Sequence, residues 1–244
     1  MSNPTRESLR RDLHALGVPA GVTLIVHSSL KAAGWVEGGP KAVIDALRDI
    51  VGPEGTLVMP AATPQCSDPA HIYDHAETPT RMGAIPETFR NAPGTLRSHH
   101  PLESVAAAGP AAANITRTHP TAFSEGEGSP WERLAELDAR ILLLGVGFNR
   151  CTALHHAESL VPNRRVMSVR FPARGDDGSV VWHETENVAD DNGRHFPEIG
   201  RRYLAAGRAT SGRIGEAEST LIRMRDLVEF AVEYFRGALP GSGA

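Results

Sequence analysis

The chain has 244 residues, of which 41% are hydrophobic and 22% charged, and its formal net charge is −4. That length can bury a substantial core, and the composition is that of an ordinary globular protein rather than a disordered or fibrous one. The mild negative charge and the lack of a Lys/Arg run argue against nucleic acid as a partner, while the two cysteines, Cys66 and Cys151, make neither a disulfide framework nor a CxxC metal motif.

The opening MSNPTRESLRRDLHALG has Leu9, Leu13 and Leu16 at helical spacing and no apolar signal-peptide core, so it predicts an amphipathic helix ended by Gly17 and Pro19. VTLIVHSSL (22–30) reads as a buried strand that runs out into small polar residues. GGPKAVIDALRDIVG (38–52) follows as a helix with Pro40 in its first turn, and GTLVMP (55–60) as a second buried strand. Residues 62–83 are polar, rich in Pro, His and acids, and too long for an idle connection, which predicts a functional loop. MGAIPETFRN predicts a short helix, RSHHPLESVAAAG a strand-like end, and GSPWERL a capping box of Ser129 with Glu132. RILLLGVG (140–147) is the strongest strand signal and leads straight into CTALHHAESL. MSVRFPA and SVVWHETEN predict a hairpin turning at GDDG (175–178). FPEIGRRYLAAG and GEAESTLIRMRDLVEFAVEYFRGAL read as closing helices, and the last residues, 240–244, as a disordered tail.

No apolar run approaches the roughly 20 residues of a membrane span. The expectation is therefore a cytoplasmic protein, monomer or homodimer, without membrane or nucleic-acid partners. Strands alternating with helices predict one α/β domain over 1–244, a layered α/β/α arrangement with a mixed central sheet. Sites in such folds form where strand C-termini feed loops and helix starts, here HSSL, the loop after LVMP, and CTALHH.

The chemistry at those places can be read from residue types. Ser28 and Ser29, with a helix opening at Gly38–Gly39, either form a plain small-residue turn or offer hydroxyls and amides to an anion. The glycines match neither a Walker loop nor GxGxxG, which excludes a nucleoside triphosphate or NAD by motif. Arg97 is either a surface residue or a bidentate phosphate grip. In CTALHHAE, Thr152 is placed to N-cap a helix, and His155 and Glu158 share one face while His156 points about 100° away. That divergence and the lack of HExxH argue against a metal, and no nucleophile pattern surrounds Cys151. A general base held by a carboxylate is the more economical role for His155. ETENVADD offers Glu184, Glu186, Asp190 and Asp191 within eight positions, either as a solvated turn or as a source of that carboxylate.

The ordered set LIVHSSL–GWVEGG, TLVMP, TPTRMGAIPETFR, RSHHPLESVAAAG, EGSPWERL and LLLGVGFNRCTALHHAE, spanning about residues 20 to 200, resembles the aminoglycoside 3-N-acetyltransferase family. The resemblance implies an acetyl-CoA-dependent N-acetyltransferase with a fold distinct from that of the common GNAT enzymes. It implies His155 as catalytic base, Glu186 or Asp190 as its orienting carboxylate with Asp191 as rival, and Thr152 at the oxyanion. It further implies coenzyme A near Ser28, Ser29, Arg97 and Ser98, and Lys31 and Gly39 are expected to add to that site. A cationic amine is expected on the side of Asp68, Asp74 and Glu77, with Glu158 and Asp191 as supporting residues and no metal. Two other readings stay open: acetylation of a different small amine, and hydrolysis of a coenzyme A thioester by water activated at His155.

Overall fold

The computed structural model describes residues 3–162, 165–189 and 192–239. Asp190, Asp191 and the 240–244 tail lie outside the described residues.

Among the described residues nine strands form, in chain order: β1 Thr23–Ser28, β2 Thr56–Pro60, β3 Leu96–Arg97, β4 Val105–Ala108, β5 Arg140–Leu144, β6 Val166–Arg174, β7 Val180–Val188, β8 Thr210–Ile214 and β9 Ala217–Arg223. Eight α-helices accompany them among the same residues: α1 Arg6–Ala15, α2 Gly39–Val51, α3 Ala84–Arg90, α4 Ala112–Thr116, α5 Pro130–Glu136, α6 Ala153–Ser159, α7 Phe196–Ala205 and α8 Met224–Ala238.

Seven strands make one mixed sheet in the order β3-β4-β2-β1-β5-β9-β8. Its centre is parallel, with β1 between β2 and β5, and antiparallel strands extend both edges. All five residues of β2 are buried, as expected for a strand covered on both faces, and this is why these central strands read as continuous apolar runs. Alternate side chains feed two cores. Ile25, Val58, Ile141, Leu143 and Ile222 pack beneath Trp131, Leu154, Phe196, Tyr203 and Phe235 on one face. Leu24, Val26, Leu57, Leu142 and Leu144 pack beneath Leu9, Leu13, Ile44, Leu47 and Phe89 on the other. The layered α/β/α class is thus the observed one.

The C-terminal region departs from the expected pair of closing helices. Residues 217–223 are not helical; they form β9, paired antiparallel to β5, with β8 beyond it. AESTLIR alternates in burial up to Leu221, a strand period, and its backbone satisfies the edge that β5 would otherwise leave open. The helix begins only at Met224. Ser129 does cap α5, accepting from the Glu132 amide, while the Glu132 carboxylate accepts from Gly128 N–H at 2.7 Å.

The β6–β7 hairpin stands outside the main sheet and turns through Gly175, whose N–H donates to the Ser179 carbonyl. It docks through Phe171 and Ala173 onto Cys66, Tyr73 and Leu102, and a bridge joins Tyr73 to Ala173. The long 62–83 loop is therefore laced to the hairpin. Residues 81–83 of the loop and Asn187 and Val188 at the end of β7 line a cleft at the C-terminal ends of β1 and β2.

Candidate active site

Two cavities open at that end of the sheet. A cleft of about 570 Å³ is lined by His27 and Ser28 from β1, Arg81–Gly83 from the loop, Glu103, Glu125, Thr152, His155 and Glu158. A second cavity of about 1030 Å³ runs along Ser28–Lys31, Trp35 and the Gly38–Gly39 start of α2, with Gly83–Ile85 as its far wall. Ser28 and Gly83 line both, so the cavities meet there. Tight packing positions the junction: Gly145, at the end of β5, has φ +67°, and a Cβ on it would come within 2.5 Å of the Ala32 Cβ. Gly39 likewise adopts φ +60° as the chain turns into α2.

His155 is the third residue of α6, and its side chain is 44% exposed to the cleft. Its Nδ1 lies 3.1 Å from Oε2 of Glu158, one helical turn on and itself buried. A carboxylate only accepts, so Nδ1 carries the hydrogen and Nε2 is the ring atom left to take a proton. Phe196 meets the imidazole edge-on, its centroid 4.7 Å away, and limits rotation. The second oxygen of Glu158 accepts from the amide of buried Asn192, in the turn before α7.

The electrostatics favour a protonated His155. Burial opposes its charge, but the hydrogen bond to Glu158 and the negative charges of Glu125, Glu158 and Glu103 outweigh that, and its pKa rises. Glu103 and Glu125 are themselves held up, first by desolvation; the charge on Glu125 adds to the effect on Glu103, which reaches about 7, while His155 pulls both down. Three carboxylates from separate parts of the chain thus surround one imidazole. His156 has the opposite fate: it is buried and its Nδ1 donates to the Glu125 carbonyl at 2.6 Å. One histidine of the pair faces the cleft, and the other anchors the loop that delivers Glu125.

A thiol nucleophile does not fit. Cys151 is fully buried, and burial pushes its thiol up to about 12, so no thiolate forms at neutral pH.

Residues 25–236 match the family model described as aminoglycoside 3-N-acetyltransferase. The chain is 36% identical to aminoglycoside N(3)-acetyltransferase VII of Streptomyces paromomycinus, over 96% of this chain and 92% of that protein. Its fold superposes on the crystal structure of YokD from Bacillus subtilis with a TM-score of 0.91 at 35% identity, covering 96% and 94% of the two chains. The binary complex of AAC-IIIb with CoASH superposes with a TM-score of 0.90 at 32% identity over the whole of both chains. The chain belongs to the aminoglycoside 3-N-acetyltransferase family. It is an acyltransferase.

Within this acyltransferase, the site residues expected from sequence divide clearly. His155, Thr152, Glu158 and Ser28 line the cleft, and Ser28, Ser29, Lys31 and Gly39 line the second cavity. Thr152 sits at the N-cap position, yet its hydroxyl makes no capping bond because its own backbone is already helical at φ −62°, ψ −21°. Among the described carboxylates the partner of His155 is Glu158, not Glu186. Glu186 points to solvent on the hairpin, where its carbonyl accepts from Phe123 N–H at 3.0 Å.

Arg97 and Ser98 are not part of either cavity wall. The Arg97 guanidinium donates to the carbonyls of Ala61, His75 and Thr78 and to Ser104 Oγ, which clamps the long loop and leaves no free fork for a phosphate. Ser98 is buried between His119 and the Val105 amide. The loop acids are also occupied elsewhere. Asp74 pairs with Arg174 at 3.3 Å and accepts from the amides of Ala76 and Glu77. Asp68 caps its own turn at Ala70, and neither it nor Glu77 lines a cavity. The loop contributes instead through Arg81, Met82 and Gly83 at its other end.

Sequence reasoning missed Glu103, Glu125 and Asn192. Glu103 lay inside the quoted motif RSHHPLESVAAAG and Glu125 just ahead of EGSPWERL, and neither stands in a spacing that marks a site.

Proposed function

We propose that the protein transfers the acetyl group of acetyl-CoA to the 3-amino group of an aminoglycoside, as a single catalytic domain, with His155 as general base. One observation carries the reading: the His155–Glu158 pair stands in an acidic cleft that meets a second, elongated cavity at Ser28 and Gly83. A thioester delivered along one cavity and an amine held in the other come together only there. The names of the relatives agree with this division, since the S. paromomycinus protein is an aminoglycoside N(3)-acetyltransferase and AAC-IIIb was solved with CoASH.

Coenzyme A fits the second cavity. The 13-residue helix α2 opens at its wall, where Gly38 and Gly39 let a ligand approach the backbone closely, and Lys31 adds a cation, a combination suited to the pyrophosphate. Trp35, 79% exposed on the rim, offers a face for the apolar arm or the adenine. The polyamine fits the cleft, where a bound ammonium favours the ionised forms of Glu103 and Glu125 in a partly desolvated setting that strengthens each contact.

In the step itself, the amine nitrogen attacks the thioester carbon as Nε2 of His155 takes its proton. The resulting imidazolium is stabilised by Glu158 through Nδ1–H, and Thr152 lines the wall near the developing oxyanion. The C–S bond then breaks, the acetamide leaves, and the coenzyme A thiolate takes the proton from His155. No covalent enzyme intermediate is needed, in keeping with the buried, protonated Cys151.

The test is thiol release from acetyl-CoA across a panel of aminoglycosides and simple amines, with a control lacking acceptor. The expected result is release only with aminoglycosides, lowered about 10²–10⁴-fold in His155→Ala while coenzyme A binding persists. Undiminished turnover in folded His155→Ala sinks the general-base role, and steady release without acceptor sinks the transferase reading in favour of hydrolysis.

A further inference from the structure

The β6–β7 hairpin has two outer edges, and the chain covers them unequally. Along β6, Tyr73 N–H donates to the Pro172 carbonyl and Arg174 N–H donates to the Tyr73 carbonyl, so Pro172 and Arg174 turn their backbone groups away from β7. Their ladder partners, Trp182 and Val180, therefore turn theirs away from β6, and Glu184 follows by the same alternation. The Glu186 carbonyl obeys it too and is met by Phe123 N–H. Between that contact and the turn, the outward N–H and C=O groups of Val180, Trp182 and Glu184 meet no backbone partner among the described residues. An open strand edge is a template for another strand unless Pro, Lys or a bulge blunts it. β6 has Pro172 on its covered stretch; residues 180–184, VVWHE, contain no Pro or Lys and pair in unbroken register. Trp182 stands 46% exposed on this edge, with the Arg170 guanidinium 4.6 Å over its ring.

We propose that this edge is a dimer interface, on which a second copy of the chain adds its own β7 antiparallel across a two-fold axis at Trp182, joining the two hairpins into one sheet. The open run is symmetric about Trp182, so each outward group of one strand finds its complement on the other. Val180 then lies opposite the partner subunit's Glu184, and Trp182 beside the partner subunit's Trp182, an aromatic pair across the seam. The ends fit as well. The partner's turn begins where Phe123 starts to cover β7, so neither strand overruns the other's free length. Charge fixes the direction. The acids Glu184 and Glu186 stand toward the base of β7, and Val180, near the tip, has Arg174 as its neighbour on β6. Antiparallel pairing lines the partner subunit's Glu184 up with that arginine row. A parallel pairing, or a slide toward Glu186, sets the two copies of Glu184 against each other, which like charges oppose. A strand of unrelated sequence would satisfy the backbone but not this charge pattern, and that singles out a second copy.

The test is sedimentation velocity on the full chain, with Trp182→Pro as the breaking variant. Proline there removes an outward N–H and the aromatic ring but no hydrogen bond to β6, since Trp182 turns its amide away from that strand. The parent is expected to double in mass between about 1 and about 100 μM, the range of a small interface. Trp182→Pro should stay monomeric over the same range, with the melting temperature of the parent monomer. Cysteine variants test the register, because Cys66 and Cys151 are both buried. Under mild oxidation Trp182→Cys should give a disulfide-linked dimer, as the facing Cα atoms of such a pair stand about 5.5 Å apart. Val180→Cys should not, since its two copies would lie about 13 Å apart along the strands. A parent that stays monomeric throughout overturns the inference, whatever else the edge binds. So does a dimer that persists in folded Trp182→Pro, because its interface then lies elsewhere. If Trp182→Pro does not fold, the cysteines decide: no cross-link at 182, or equal cross-linking at 180 and 182, overturns it.

Discussion

Two sets of carboxylates in this protein behave in opposite ways. The acids that stand close together in sequence, in the 62–83 loop and along β7, face solvent or serve local turns: Glu184 and Glu186 are exposed and Asp74 pairs with Arg174. The acids that surround His155, namely Glu103, Glu125 and Glu158, come from three separate segments, each contributing one carboxylate. The difference has a physical cause. Like charges on adjacent residues are tolerated mainly where water screens them, whereas a partly desolvated cleft can hold several only if each is anchored and a cation, here His155 or a substrate ammonium, offsets them. Local acidic density therefore marks solvated surface in this chain, and convergence marks the site.

The sharpest way to break that comparison is Glu158→Gln. It keeps the shape but removes the charge that holds the imidazolium, and kcat should fall about 10²-fold. The sign of the accompanying titration is fixed. The surrounding acids raise the pKa of His155, so its neutral, basic form takes over at a higher pH than in a free imidazole. Without the Glu158 charge the NMR midpoint of His155 must move down; an upward or absent shift contradicts the dyad.

A smaller effect is expected at the two carboxylates without a fixed partner on the base. Glu103→Gln and Glu125→Gln should each raise KM for a polycationic acceptor about five- to tenfold, the scale of one partly desolvated charge contact, with kcat changed less. Equal KM for parent and variants would remove them from substrate recognition.

The smallest effect belongs to the acids that sequence density favours. Glu186→Gln, and the combined neutralisation of Asp68, Asp74 and Glu77, should leave kcat and KM within about twofold, as screened surface charges do. Neutralising Asp74 should still lower the melting temperature by a degree or two, since it ties the loop to the hairpin. A large KM change in either variant would restore the loop or the hairpin to the acceptor site.

Several features were legible in the residues alone. The continuous apolar runs of β1, β2 and β5 announce a buried, largely parallel sheet centre, since strands covered on both faces need no polar side. The 3-residue spacing of His155 and Glu158 already places both on one face of a helix. The ordered motifs already pointed to the family. What failed was the reading of 217–223 as helix, because its period-2 burial is decided by the open edge of β5 and not by local propensity. A phosphate grip was expected of Arg97, whose guanidinium the fold instead turns onto carbonyls up to 36 residues away.

By itself, then, the sequence determined the elements whose signal is local: buried strands, capped helices, and a histidine with a carboxylate one turn on. Only the tertiary structure decided which acids meet that histidine, that Asn192 holds its partner, and that two cavities join at Ser28 and Gly83. Those contacts lie between residues tens of positions apart, and their worth depends on desolvation, which exists only once the chain has folded around them.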